Sequence, residues 1–384
     1  MTIAGAGPAP GAPRVALVRA RYDPAGGAER FVQGAVAALR AQGAAVTIVA
    51  RQWPDDDGSA IIVDPPHLGS LWRDWAFARA ACAELAARRF DLVQSHERIA
   101  CCDVYRAGDG VHAQWLQERS RVQGPLARLA TRLSPHHRYL LAAERALFTA
   151  PRLKAVICNS DLVRRDIERR FGVARDKLVL IRNAVDARRF HPGLRSEMGG
   201  GVREQLGVPR DARVMLHVGS GFERKGVSAF LEALARAPAK PWGLVVGRDK
   251  HAARYAVLAR RLGVDRRVRF LGGVSDVRPY HAAADAFVLA TLYDPQPNAL
   301  LEAMASGLPV VTTRTCGAAE LLAEGVSGFV RDALDVDGLA GAMERLDPGS
   351  ARRMGEAARA AVAAFTPEVM AAEYVALYRR LLRR

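Results

Sequence analysis

Cysteine is scarce in this 384-residue chain, which has five: Cys82, Cys101, Cys102, Cys158 and Cys316. The number is odd and no C-x-x-C spacing occurs, so neither a disulfide framework nor a zinc site is indicated, and a reducing compartment fits. Lysine is also scarce, five residues against 51 arginines. No apolar run reaches the ~18 residues that a bilayer-spanning helix needs. Residues 1–13 are small and rich in Pro and Gly, without the basic start and apolar core of a signal peptide, and read as a disordered tail. The expected location is the cytoplasm, or the cytoplasmic side of a membrane.

Half of the residues are hydrophobic, which excludes a disordered chain, and the length calls for two domains. The net charge of +16 suggests an anionic partner: nucleic acid, an anionic membrane or a phosphorylated substrate. Within residues 119–170 twelve Arg or Lys stand against four acids, Glu144, Asp161, Asp166 and Glu168. Nucleic-acid binding adds exposed aromatics to such a stretch. Only Tyr139, Phe148 and Phe171 are available here, so nucleic acid is the weaker choice.

The order of elements is α/β. A strand at 14–18, a loop with Gly26-Gly27, a helix over 28–42 and a strand at 45–50 make a βαβ unit, with later strands at 90–94 and 155–159. The second half repeats this pattern with strands at 214–218, 243–246, 268–271 and 286–289 alternating with helices. Two Rossmann-like, doubly wound parallel sheets follow, an N-terminal domain over 14–190 and a C-terminal one over 203–366, with the linker between 189 and 203 where Pro192 and Gly199-Gly200-Gly201 fall. A last helix, 367–384, carries Met370, Tyr374, Leu377 and Leu381 on one face and is expected to cross back to the first domain. Ligands of such sheets bind beyond the carboxyl ends of the strands. Two facing sheets place the site in the cleft between them.

The richest stretch is 293–311. Pro295 and Pro297 forbid a helix before Asn298, so Asp294 lies on a loop. Asn298 is a good N-cap for a helix that Gly307-Leu308-Pro309 ends, and the free N–H groups of Ala299 and Leu300 then suit a phosphate. Glu302, one turn in, can accept two ribose hydroxyls; alone it would merely complement the helix dipole.

After the strand at 214–218 comes Gly219-Ser220-Gly221-Phe222-Glu223-Arg224-Lys225-Gly226, two cations beside a glycine turn, as a leaving diphosphate requires. In a chain that prefers Arg, Lys225 reads as a positional need for a compact charge. Gly26-Gly27 either lets amides approach a phosphate or simply makes a turn. Asp55-Asp56-Asp57 reads as a solvated loop, and Ser95-His96-Glu97 completes no nucleophilic triad. Over 125–133, Leu126, Leu129 and Leu133 share one face while Arg128 and Arg132 take another. This is the pattern of a basic interfacial helix, or of a surface helix packed on the core. The basic surroundings favour an anionic membrane surface.

Gly26-Gly27-Ala28-Glu29-Arg30, Asn183-Ala184-Val185-Asp186, Gly219 through Gly226 and Asp294 through Val311 together resemble the GT-B retaining glycosyltransferases of family 4. Val246-Gly247-Arg248-Asp249-Lys250 and the run from Arg138 to Phe148 are similar to the lipopolysaccharide core glucosyltransferase I group. The resemblance implies that Arg224 and Lys225 hold the UDP diphosphate, that Glu302 binds the ribose, and that Asp294, first acid of an E-x7-E pattern with Asp in place of Glu, meets the donor sugar. Donor contacts would extend to Gly26, Gly27, Gly219, Asn298, Ala299 and Leu300. The implied reaction is retaining and metal-free, moving a hexose, glucose as the best choice, from UDP-sugar to a heptose-containing lipid-linked core. Acceptor candidates in the first domain are His96, Asp103, Asp109 and His112. The alternatives are a UDP-sugar epimerase on the same fold and a basic membrane- or nucleic-acid-binding protein.

Overall fold

The structure, a computed structural model, describes residues 12–21, 36, 39–40, 43–53 and 60–383. Gly26, Gly27, the aspartates 55–57, most of the helix expected over 28–42 and most of the N-terminal tail lie outside the described residues. The chain divides into two units, one ending at Ile181 and taking in Glu368–Arg384, the other spanning Arg182–Pro367.

The first unit holds a seven-stranded sheet of β1 (Arg14–Val18), β2 (Ala45–Ala50), β3 (Ala60–Ile62), β4 (Leu92–Ser95), β5 (Val104–Arg106), β6 (Ala155–Cys158) and β7 (Leu178–Leu180), in the order β3-β2-β1-β4-β5-β6-β7. The second holds β8 (Val214–Val218), β9 (Trp242–Val246), β10 (Val268–Gly272), β11 (Ala286–Leu289), β12 (Val310–Thr313) and β13 (Gly328–Arg331), in the order β10-β9-β8-β11-β12-β13. Every pairing within these sheets is parallel. Each sheet runs outward from its first strand in one direction and then reverses, the topology that opens a crevice at the carboxyl ends of β1 and β4, and of β8 and β11.

Strand alternation distributes the core. In β1, Val15 and Leu17 enter one buried cluster and Ala16 and Val18 the other. In β8, Val214 and Leu216 face one cluster and Met215 the opposite one. Both faces of each sheet are covered, which is why these strands read as continuous apolar runs.

The helix Pro367–Leu382 buries Tyr374, Leu377, Tyr378 and Leu381 in the first unit's core. Its tyrosines make polar contacts there: Arg106 Nε donates to the Tyr374 hydroxyl at 3.2 Å, and the Tyr378 hydroxyl donates to Gln94 Oε1. Among the described residues the stretch Pro348–Leu382 reaches the length and mean hydropathy of a membrane span, although no uninterrupted apolar run of that length occurs in it. It is two helices, Pro348–Val362 and Pro367–Leu382, interrupted at 363–366, and each buries apolar side chains in its own unit.

Three other expectations are corrected. The linker placed over 189–203 is helical, because Arg195–Gly199 and Gly200–Gln205 form consecutive turns of the second unit. Gly199 is there for close packing, not freedom: a Cβ would fall 2.5 Å from the Ala282 carbonyl oxygen. The chain passes between units at 181–182 instead. Cys82 and Cys101, held with Cα atoms 5.9 Å apart, form a disulfide that ties the helix Gly69–Ala87 to the loop between β4 and β5. Sequence spacing does not show this pairing, since the two residues meet only through tertiary packing. Finally, β3, β5, β7 and β13 went unread; at three or four residues each they are too short to show a period.

Candidate active site

Two loops leave the second sheet at its switch point, one after β8 and one after β11. The first is Gly219-Ser220-Gly221 followed by a single helical turn, Phe222–Lys225, that closes on Gly226. Gly221 and Gly226 have φ of +77° and +73°, a region where a Cβ clashes with the backbone. At Gly226 a Cβ would also lie 1.7 Å from the Ala290 carbonyl oxygen, so this turn sits directly on the end of β11. The turn is held from both sides. Asp249 Oδ2 accepts from the Phe222 N–H at 2.7 Å, while the Thr291 hydroxyl and the Leu292 N–H both donate to the Arg224 carbonyl at 2.8 Å.

Asp294 is fixed just as firmly. Its N–H donates to the Thr315 carbonyl at 3.0 Å and its carbonyl accepts from the Gly317 N–H at 2.7 Å, so it pairs in extended form with the loop after β12. The Lys225 ammonium forms an ion pair with Asp294 Oδ2, the side chains being 11% and 6% exposed. The lysine stem passes Gly219 so closely that a Cβ there would lie 3.0 Å from three of its carbons. The two residues given separate roles in the sequence reading, one toward diphosphate and one toward sugar, therefore form one charged unit. Among the described residues the Arg224 guanidinium has no hydrogen-bond or ion-pair partner.

The helix Asn298–Ala305 begins beside them, and two details differ from expectation. Its cap is Pro297, with no side-chain cap bond. Asn298 is the first helical residue and its Oδ1 accepts from Asn183 Nδ2 at 2.9 Å. The Leu300 N–H is spent on the Pro297 carbonyl at 3.1 Å, because the first turn tightens to an i−3 bond. Ala299 is left with an N–H that has no acceptor among the described residues. Glu302 is 6% exposed one turn in.

Two buried polar atoms near this site have no hydrogen-bond partner among the described residues, Gln296 Nε2 and His217 Nε2. His217 is on β8, its Nδ1 3.1 Å from the Val288 carbonyl. Burial, and then the charge of Lys225, push its pKa down to about 3, so the ring is neutral.

In the first unit, His96, Asp109 and His112 follow β4 and β5 at their carboxyl ends. His96 is buried, its Nε2 3.1 Å from Gln94 Nε2, and burial with Arg106 and Arg19 holds it well below the ordinary histidine range. His112 opens a helix whose first N–H groups are capped by Glu144, its own N–H lying 2.7 Å from Glu144 Oε1. Burial and Arg98 lower its pKa to about 3. Asp109 is exposed. Asp103 precedes β5 at the amino end of the sheet. There its carboxylate accepts from the Val93 N–H at 2.9 Å and pairs with Arg152 and Lys154 at 3.1 and 3.2 Å. It is a structural clip, at the wrong end of the strands for the acceptor role expected of it.

Asn183, Asp249 and Thr291 build this site without having been assigned a role from sequence. The first two lie in motifs quoted for the family resemblance, and Asp249 stands just beyond a strand end, which was the available signal.

Residues 25–189 match the family described as Glycosyltransferase Family 4, and residues 212–347 that described as Glycosyl transferases group 1. The chain belongs to glycosyltransferase family 4. This glycosyltransferase is 28% identical over 326 residues to lipopolysaccharide glucosyltransferase WaaG of Escherichia coli, covering 82% of this chain and 84% of that protein. It is 39% identical over 144 residues to lipopolysaccharide core biosynthesis glycosyltransferase LpsE of Rhizobium meliloti, covering 38% of this chain and 42% of the relative. The crystal structure of WaaG, a glycosyltransferase involved in lipopolysaccharide biosynthesis, superposes with a TM-score of 0.79 at 26% identity, covering 93% of this chain and 98% of that one. The fold is GT-B, and the enzyme is related to lipopolysaccharide core glycosyltransferases.

Proposed function

We propose that this glycosyltransferase moves glucose from UDP-glucose to a heptose-containing lipopolysaccharide core, with retention at the anomeric carbon and without a metal ion. The observation that carries the reading is the Lys225–Asp294 pair at the switch point of the second sheet. A leaving diphosphate needs positive charge that is already in place, and a cation fixed in a site 11% exposed supplies it without reorganisation. Arg224 brings a guanidinium fork beside it, and the Ala299 N–H at the helix start adds a dipole-aligned donor. In this reading the bond from the anomeric carbon to the diphosphate oxygen breaks, and the acceptor hydroxyl bonds on the same face. Its proton passes to the departing phosphate oxygen. Lys225 is the group that divides its charge between the diphosphate and Asp294, and Asp294 in turn orients toward the sugar hydroxyls. Gln296 Nε2 and His217 Nε2 supply donor or acceptor capacity that the described residues leave unused.

The same proposal places the enzyme on the cytoplasmic face of the inner membrane, docked on anionic lipid. The helix Pro125–Leu133 supports it: no residue in it is buried, and Leu126 is 84% exposed with Leu129 and Leu133 also in solvent. A helix packed on the core would bury that stripe.

Incubation with UDP-glucose and a heptose-containing core oligosaccharide in EDTA tests the chemistry. The expected product is a glucosylated core whose new linkage keeps the donor's α configuration by NMR. An inverted linkage would remove the retaining mechanism, and dependence on added metal would remove the role given to Lys225.

A further inference from the structure

At the switch point of the first sheet, beyond the carboxyl ends of β1, β2 and β4, lies a cavity of about 300 Å³. Its walls carry five arginines, Arg19, Arg21, Arg51, Arg73 and Arg98, against two acids, Asp74 and Glu97. Four of the guanidinium groups are paired: Arg51 with Asp64 at 2.7 Å and His67 at 3.3 Å, Arg73 with Asp74 at 2.8 Å, Arg98 with Glu144 at 3.3 Å and the Gly110 carbonyl at 3.4 Å, and Arg19 with Glu97 at 3.7 Å. A guanidinium has five N–H donors in a rigid fork, so one or two such bonds hold its orientation and leave other donors for a ligand. Glu97, whose pKa burial raises, stands 3.7 Å from Arg19 and accepts from the Ala20 N–H at 3.0 Å, so it offsets one of the five cations. A plain neutral sugar presents hydroxyls that both donate and accept, and a wall of donors serves only half of that chemistry. Phosphate and carboxylate are acceptors alone, and match the fork in pairs.

We infer that this cavity receives an anionic substituent of the acceptor saccharide, a phosphate or a carboxylate, and that Arg21 and Arg19 help to select for it. The inference rests on the glycosyl-transfer reading above in taking the ligand to be the acceptor.

Calorimetry on the full-length protein tests it with three forms of a deacylated inner-core oligosaccharide: phosphorylated, phosphatase-treated and carboxyl-reduced. The expected result is at least about tenfold weaker binding of one neutralised form, the loss of one charge-assisted contact. Arg21→Gln should narrow that gap severalfold, with no change in melting temperature because Arg21 is exposed. Loss on phosphatase treatment assigns a phosphate, and loss on carboxyl reduction assigns a carboxylate. Equal binding of all three forms, or binding of none, overturns the inference. A parallel transfer assay with UDP-glucose keeps the two readings apart. Equal transfer to all three forms removes the anion site and leaves the transferase, whereas selective binding without transfer removes the proposed reaction and leaves the anion site.

Discussion

Replacing Lys225 with Ala leaves Asp294 buried without its partner. Asp294 cannot turn toward solvent, because both its N–H and its carbonyl are bonded to the loop after β12. Removing one member of a buried pair costs about 3–5 kcal/mol, and the residual exposure of these side chains, 11% and 6%, brings the expected loss to about 2–4 kcal/mol in the second unit. The double variant K225M/D294L removes both charges and should fall within about 1 kcal/mol of the parent. Turnover should drop by about 10²–10³ in either variant, the usual cost of losing a preorganised charge at a leaving group. The two units preclude a single two-state melt, so hydrogen exchange of peptides over 214–226 and 286–317, followed against urea, is the stability assay. The reasoning fails if K225A is as stable as the parent, or if the double variant is as unstable as the single one. Either result would mean that water already compensates Asp294.

Gly226→Ala should lower the second unit's melting temperature by many degrees or prevent soluble expression, since its Cβ would meet the Ala290 carbonyl at 1.7 Å; a melt within two degrees of the parent would refute the close approach. Acid sensitivity of the second unit should come from His217 and His281, both buried and both with pKa pushed to about 3. The unfolded chain takes up these protons below about pH 6.5 and the folded one does not, so their stability is full above that pH and falls by about 1.4 kcal/mol per histidine per unit as pH drops toward 3. His281→Phe, whose ring would sit between Phe190 and Phe287, should flatten that slope between pH 6 and 4.5, and an unchanged slope would count against it. Replacing Leu126 and Leu129 with Glu should abolish sedimentation with liposomes containing anionic lipid at low salt, without altering UDP binding; continued sedimentation would move membrane contact elsewhere.

Much of this protein is local in origin. Apolar runs bounded by Gly and Pro mark β8 and β11, Pro295 and Pro297 hold the helix start back to Asn298, and Gly219-Ser220-Gly221 marks a turn, although the single helical turn Phe222–Lys225 after it does not show in the sequence. Such preferences act among residues a few positions apart, and so they are legible without the fold. The site itself is not local. Lys225 and Asp294 are 69 residues apart, and they meet because β8 pairs directly with β11 while β9 lies on the other side. The same long-range pairing turned Asp103 into a clip at the amino end of its sheet, drew Asn298 onto Asn183 in place of the helix cap, brought Cys82 to Cys101, and buried the two tyrosines of the last helix. Backbone conformation follows from near neighbours, but the partner of a buried charge is set by which distant strands stack to exclude water, and only the tertiary structure decides that.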